Sequence, residues 1–143
     1  MTVFVDTGVF YAQHDEDTSR HAAAQRAMKA IAGGRFGRPM TSDYVYDETV
    51  TLTLSRFADS SEATTVSNRI LGRADFPEMV TLLFLERAQF FEAIDIRTRY
   101  EDQSLSFTDA TTVALVNEYD IDHVLSFDDD FDGIVSCLDP AAL

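Results

Sequence analysis

Residues 105–131 read LSFTDATTVALVNEYDIDHVLSFDDDF, and this stretch decides the fold class. Ser106 begins a helix that carries Val113, Leu115 and Val116 and runs to about Tyr119. After a short polar break, His123–Phe127 is a continuous apolar run of the kind a parallel sheet buries on both faces. Each element also carries an acid where apolar surroundings are expected. Asp109 shares a helical face with Val113 and Val116, and Asp128 closes the strand.

The pattern repeats toward the amino end. Thr2–Val5 is a second short apolar run, bounded by Asp6-Thr7-Gly8, and a short helix over about Thr7–Gln13 follows it. Thr18-Ser19 is placed to cap an alanine-rich helix over Arg20–Ile31, which Gly33-Gly34 stops. Tyr44–Phe57 is ambiguous, because Val50, Leu52 and Leu54 alternate as a strand would; its length and the Ser42-Asp43 start predict a helix. In either conformation Glu48 faces apolar neighbours, Val45 and Leu52 if the segment is helical. A helix over Ser61–Gly72, a strand over Met79–Leu85, a helix over Glu86–Ile94 and a last short strand over Ile134–Leu138 complete the expectation. Strands alternating with helices predict an α/β sheet covered on both faces, with right-handed crossovers. The 143 residues suit a single domain spanning 1–143, uninterrupted by linker, repeat or low-complexity segment.

Composition narrows the function. Hydrophobic residues make up 45% of the chain and aromatics 11%, enough for a packed core. The longest strongly apolar stretch, Met79–Leu85, is far too short to cross a bilayer, and the start MTVFVD lacks the features of a signal peptide, so a cytoplasmic protein without a membrane partner is expected. The lone Cys137 reads as a small buried hydrophobe. Acids outnumber bases 25 to 11, giving a formal net charge of -14, and Lys29 is the only lysine. Such a surface repels itself unless salt screens it, at a Debye length of about 3 Å in 1 M salt, which suits a salt-loving host such as a halophilic archaeon. It also repels polyanions, so recognition of nucleic acid would fall to short-range contacts by arginines such as Arg20, Arg35 or Arg38.

Against this background four acids stand out: Asp6, Glu48, Asp109 and Asp128. A carboxylate on an apolar face is costly unless it is paired or holds a cation. In open α/β sheets the site lies beyond the carboxyl ends of the strands, where Asp6 and Asp128 both fall. Four hard oxygen donors without a cysteine or histidine cluster suit Mg²⁺ or Mn²⁺ better than Zn²⁺, and such an ion supports phosphodiester hydrolysis.

VFVDTGVFYA (residues 3–12), DYVYDETVTL (43–52) and the 105–131 stretch, in this order and spacing, resemble a PIN domain, most closely the VapC-type toxin ribonucleases of type II toxin–antitoxin systems. The resemblance covers nearly the whole chain. It implies a three-layer α/β fold with a mostly parallel sheet of four or five strands flanked by helices. It places the family's acids on Asp6, Glu48, Asp109 and Asp128, and its small hydroxyl residues on Thr7, Thr108 and Ser126. It further implies a Mg²⁺- or Mn²⁺-dependent endoribonuclease that leaves 5′-phosphate and 3′-hydroxyl ends, a homodimer, and an antitoxin partner whose tail covers the acidic pocket. The run Asp128-Asp129-Asp130 departs from the family pattern, so Asp129 or Asp130 could share the fourth position.

Plainer readings compete. Ser106 and Asp109 fit a capping box, Asp6 could merely start the next helix, and Asp128 could belong to a solvated acidic turn. Asp128, Asp130, Asp132, Gly133 and Asp139 match a calcium-loop spacing, but Pro140 leaves no room for an outgoing helix. His14, His21 and His123 are too scattered to form an acid–base pair. Gly8 stands where an aspartyl-nucleophile phosphatase needs its second acid. A PIN-domain RNA-processing nuclease without an antitoxin, or an inactive member that only binds RNA or protein, remains the alternative.

Overall fold

Val3, Phe4 and Val5 are fully buried because β1 (Thr2–Val5) stands in the middle of the sheet. The computed structural model describes all of residues 1–143. On one side of β1 lies β2 (Arg38–Ser42) with β3 (Thr81–Leu83) beyond it; on the other lies β4 (His123–Leu125) with β5 (Cys137–Leu138) beyond. Every neighbouring pair is parallel, with Phe4 aligned between Met40 and Val124. Six helices flank this five-stranded sheet, as the α/β expectation requires: α1 (Thr7–His14), α2 (His21–Ala32), α3 (Asp43–Phe57), α4 (Ser60–Leu71), α5 (Arg87–Arg99) and α6 (Phe107–Tyr119). No helix is long and apolar enough to cross a membrane.

The order β3-β2-β1-β4-β5 matters for function. The chain builds outward from β1 to β3, then crosses back to place β4 on the other flank of β1. The carboxyl ends of β1 and β4 therefore border the point where the strand order reverses, where open α/β sheets leave a crevice. Behind it α6 is buried at every position from Ala110 to Val116, which explains its apolar character all round.

Three local outcomes differ from the expectation. The strand β2 was not anticipated, since Arg38-Pro39-Met40-Thr41-Ser42 contains a breaker and two hydroxyls. Its polar residues are buried because each hydroxyl has work: Thr41 Oγ1 donates to the Val5 carbonyl at 2.9 Å, and Ser42 Oγ accepts from the Val45 amide at 3.1 Å, capping α3. The expected strand over 134–138 shrinks to Cys137–Leu138, because Ile134 and Val135 bond back to the Phe131 carbonyl in a turn. The expected cap on α2 also moves: Arg20, not Thr18 or Ser19, precedes the helix, and its amide donates to Thr18 Oγ1 at 3.4 Å. Elsewhere β3 occupies only the middle of 79–85, and α5 continues past Ile94 to Arg99.

The helix chosen for the ambiguous segment is present as α3, but its inner face is Val45, Thr49 and Thr53. Leu54 is 46% exposed. The threonines tolerate burial because their hydroxyls donate to carbonyls four residues back, at 2.7 and 2.8 Å.

Candidate active site

Asp6 follows β1 and immediately precedes α1, with extended backbone (φ -85°, ψ 162°), yet its side chain makes no capping bond. The reading of Asp6 as a helix starter therefore fails. One carboxylate oxygen, Oδ2, accepts from Ser126 Oγ at 2.8 Å. The other, Oδ1, is buried and no donor meets it in hydrogen-bonding geometry, although the Thr7 amide lies near the carboxyl. Asp6 is 2% exposed, and burial, together with the charge of Asp109, raises its carboxyl from the usual range to about 7. The Ser126 hydroxyl and the Thr7 backbone pull the other way, while Asp128 adds a smaller push upward.

Ser126 follows β4 and ties two acids to one hydroxyl. It donates to Asp6 and accepts from the Asp128 amide at 3.0 Å, so the register of β1 beside β4 sets both positions. Asp109 stands at the start of α6 and does complete a capping box: its amide donates to Ser106 Oγ at 3.0 Å and its Oδ2 accepts from the Ser106 amide at 3.3 Å. Its carboxyl is nonetheless raised to about 6, by burial first and then by the charges of Glu48 and Asp130, against the lowering effect of Ser106. A capping carboxylate in solvent has no such surroundings.

A cleft of about 270 Å³ opens at this edge, with Asp6, Thr7, Glu48 and Asp128 in its wall. Glu48 reaches it from α3, where Glu48, Leu52 and Arg56, four residues apart, form one stripe along the cleft. Asp109 is not part of the wall; it sits behind, close enough to Asp6 and Glu48 for their charges to oppose its own. Thr7 is buried with an unpartnered Oγ1. Thr108 is half-buried on α6 away from the cleft wall, its carbonyl accepting from the hydroxyls of Thr111 and Thr112. Of the neighbouring acids, Asp129 lines an adjacent hollow with Ser126 and Asp132, whereas Asp130 is half-buried and bears on Asp109. In this conformation no three His, Cys, Asp or Glu side chains approach closely enough to form a finished metal-binding group.

The donor set still fits a hard divalent cation. Its oxygens are carboxylates without competing lysine or arginine pairs, since the only ion pair in the chain is His14–Glu62 at 2.6 Å. A buried carboxylate oxygen with no donor is a cost that a cation would relieve. The calcium-loop alternative fails here, because the acidic run lies between β4 and the two-residue β5, followed by a single turn over Pro140–Ala142. Cys137 is half-buried and its thiol is pushed up to about 11 by burial and by Asp132 and Asp6, which disfavours the thiolate at neutral pH. The histidines serve the framework: His14 joins Glu62 and Arg69, His21 bonds the Ala12 carbonyl, and His123 bonds Ser136. Sequence reasoning missed Tyr11 and Arg56 in the cleft wall; the i+8 spacing from Glu48 was the available signal for Arg56.

Comparison with known proteins bears on the fold and the family. VapC20 of Mycobacterium tuberculosis, a Sarcin-Ricin loop cleaving toxin, is 26% identical over 93% of this chain and 96% of its own, with a TM-score of 0.80. VapBC2 of Rickettsia felis, solved bound to a DNA fragment from their promoter, shares the fold at 11% identity, a TM-score of 0.70, and coverage of 96% and 98%. A toxin–antitoxin complex from Klebsiella pneumoniae does so at 14% identity, a TM-score of 0.66, and coverage of 96% and 97%. No curated protein matches by sequence. The PIN domain model matches residues 3–135, which span the sheet from β1 through β4 and all six helices, and the chain belongs to the PIN domain family.

Proposed function

We propose that this protein is a Mg²⁺- or Mn²⁺-dependent endoribonuclease acting as the toxin of a toxin–antitoxin pair. The observation that carries the reading is Asp6 Oδ1, a buried acceptor with no donor, beside a cleft whose wall includes Glu48 and Asp128. Asp6, Glu48, Asp109 and Asp128 would hold the ion directly or through water. A bound ion would lower the pKa of a water and neutralise charge developing on phosphoryl oxygens. Ser126 keeps Asp6 oriented through its second oxygen, and Ser106 keeps Asp109 at the helix start, so neither carboxylate has to be ordered anew when the ion arrives. Support for RNA as the substrate comes from the mycobacterial toxin that this chain resembles.

The antitoxin partner is supported by the fold shared with toxin–antitoxin complexes. The homodimer is supported by an apolar face on and before α5, where Phe84 is 63%, Phe91 50% and Ile94 40% exposed. On a chain of net charge -14, an exposed aromatic face is expected to be covered.

An inactive binding member is the competing reading, favoured by the fact that the acids do not form a finished metal group. Labelled RNA incubated with Mn²⁺ in high-salt buffer separates the two. Cleavage should fall to background in Asp109→Asn, whose amide oxygen can still accept from Ser106 and so preserves the cap while removing the charge. Unchanged cutting by that variant, or none by the parent protein, would defeat the nuclease reading.

A further inference from the structure

Eleven positive side chains oppose 25 acids, yet two of them, Arg20 and Arg56, stand in the wall of the acidic cleft and pair with no carboxylate. This is unusual placement. Both line the same cleft as Asp6, Glu48 and Asp128.

Each guanidinium is instead held over an aromatic ring. Arg20 lies over Phe127 at 5.0 Å from the ring centre, and Phe127 sits between Ser126 and Asp128, the residues that follow β4. Arg56 lies over Tyr11 at 5.0 Å, and Tyr11 is itself fixed by a hydroxyl bond to Asp15 at 2.6 Å; the guanidinium is near enough to act on the Tyr11 hydroxyl and, across it, on Asp15, without forming an ion pair. An attraction to the ring face restrains where a guanidinium sits without using up its five N–H donors on a carboxylate. The two arginines reach the cleft from different parts of the chain, one from the start of α2 and one from the last turn of α3. Arg35 also stacks on its neighbour Phe36, and Arg38 opens β2, but both lie outside this cleft.

We infer that Arg20 and Arg56 are the RNA-binding residues of the site, each donating to a backbone phosphate on either side of the bond to be cut. This rests on the nuclease reading above and supplies what that reading lacks. The acidic wall repels the polyanion it must bind, and a cation among four carboxylates leaves nothing positive to meet the flanking phosphates. Guanidinium groups held over a ring and free of ion pairs meet that need, because arginine donates to phosphate in a two-bond fork.

The test measures binding and cleavage separately on a fluorescein-labelled single-stranded oligoribonucleotide in Mn²⁺ buffer over a range of KCl. Arg20→Ala and Arg56→Ala should each weaken binding and raise KM about tenfold or more, with kcat at saturating RNA changed by less than about threefold. Each should also reduce the slope of log affinity against log salt by about 0.7. Arg→Lys at either position should recover part of the affinity, and Arg35→Ala and Arg38→Ala should behave as the parent. Thermal midpoints should stay within a few degrees, since both arginines are exposed. Binding and KM unaffected by Arg20→Ala and Arg56→Ala, or weakened equally by Arg35→Ala, would overturn the assignment while leaving the nuclease intact. A parent protein that binds this RNA through Arg20 and Arg56 but never cuts it would keep the assignment and defeat the nuclease; one that neither binds nor cuts would defeat both.

Discussion

Asp6 and Asp109 make the site's electrostatics measurable without any substrate. Their carboxyls are raised from 3.8 to about 7 and about 6, so the folded protein holds protons that the unfolded chain has already released at the same pH. A carboxyl raised on folding contributes fully below its unfolded value and loses that contribution as pH rises through its folded value. In EDTA-treated protein the thermal midpoint should therefore fall between about pH 4 and about pH 7, by an amount corresponding to a few kcal/mol, and level off above that range. Mn²⁺ should restore the loss at the alkaline end. Asp6→Asn should flatten the pH profile and abolish most of the Mn²⁺ shift; a profile as steep as the parent's would mean that Asp6 is not the group responsible. The acids themselves stood out in the chain, since Asp6 and Asp128 close apolar runs and Glu48 and Asp109 fall on apolar helical faces. The orphaned Oδ1 was not, because it depends on Ser126, 120 positions away, satisfying only one of the two oxygens.

Among the elements, α3 and α5 show how far periodicity reaches. The helical reading of α3 held because Ser42 caps it and no turn residue interrupts it, but the choice of inner face did not follow from hydrophobicity. Thr49 and Thr53 bury more fully than Leu52 or Leu54, and only the approach of neighbouring elements sets that rotation. This rotation puts Glu48 and Arg56 together on the cleft. On α5, Phe90 meets Phe91 and Phe107 edge-on at 5.4 Å, and Phe107 meets Tyr44 at 5.8 Å, so the exposed aromatics form one continuous patch with the start of α3. If that patch joins two copies, Ile94→Arg should convert a sedimenting dimer into a monomer with little change in helical content. A parent protein that is monomeric at high concentration and high salt would count against the dimer.

For the molecule as a whole, the charge of -14 sets the conditions under which everything else operates. With a single ion pair in the structure, the acids are not neutralised internally and must be screened from outside. Unfolding midpoints should rise steeply as KCl increases from about 0.1 M to about 2 M, and if the chain dimerises its association should strengthen over the same range; equal stability at both ends would remove the salt-loving interpretation. Apolar runs closed by acids were enough to specify an alternating α/β chain and to single out Asp6, Glu48, Asp109 and Asp128, because burial pattern and the cost of desolvating a carboxylate are written in local composition. The pairing of Pro39 opposite Val3, the return of β4 to the far side of β1, the partnerless oxygen of Asp6 and the ring-held arginines in the same cleft came only with the folded chain. These are contacts between segments remote in sequence, and their energies depend on distances and orientations that no local pattern encodes.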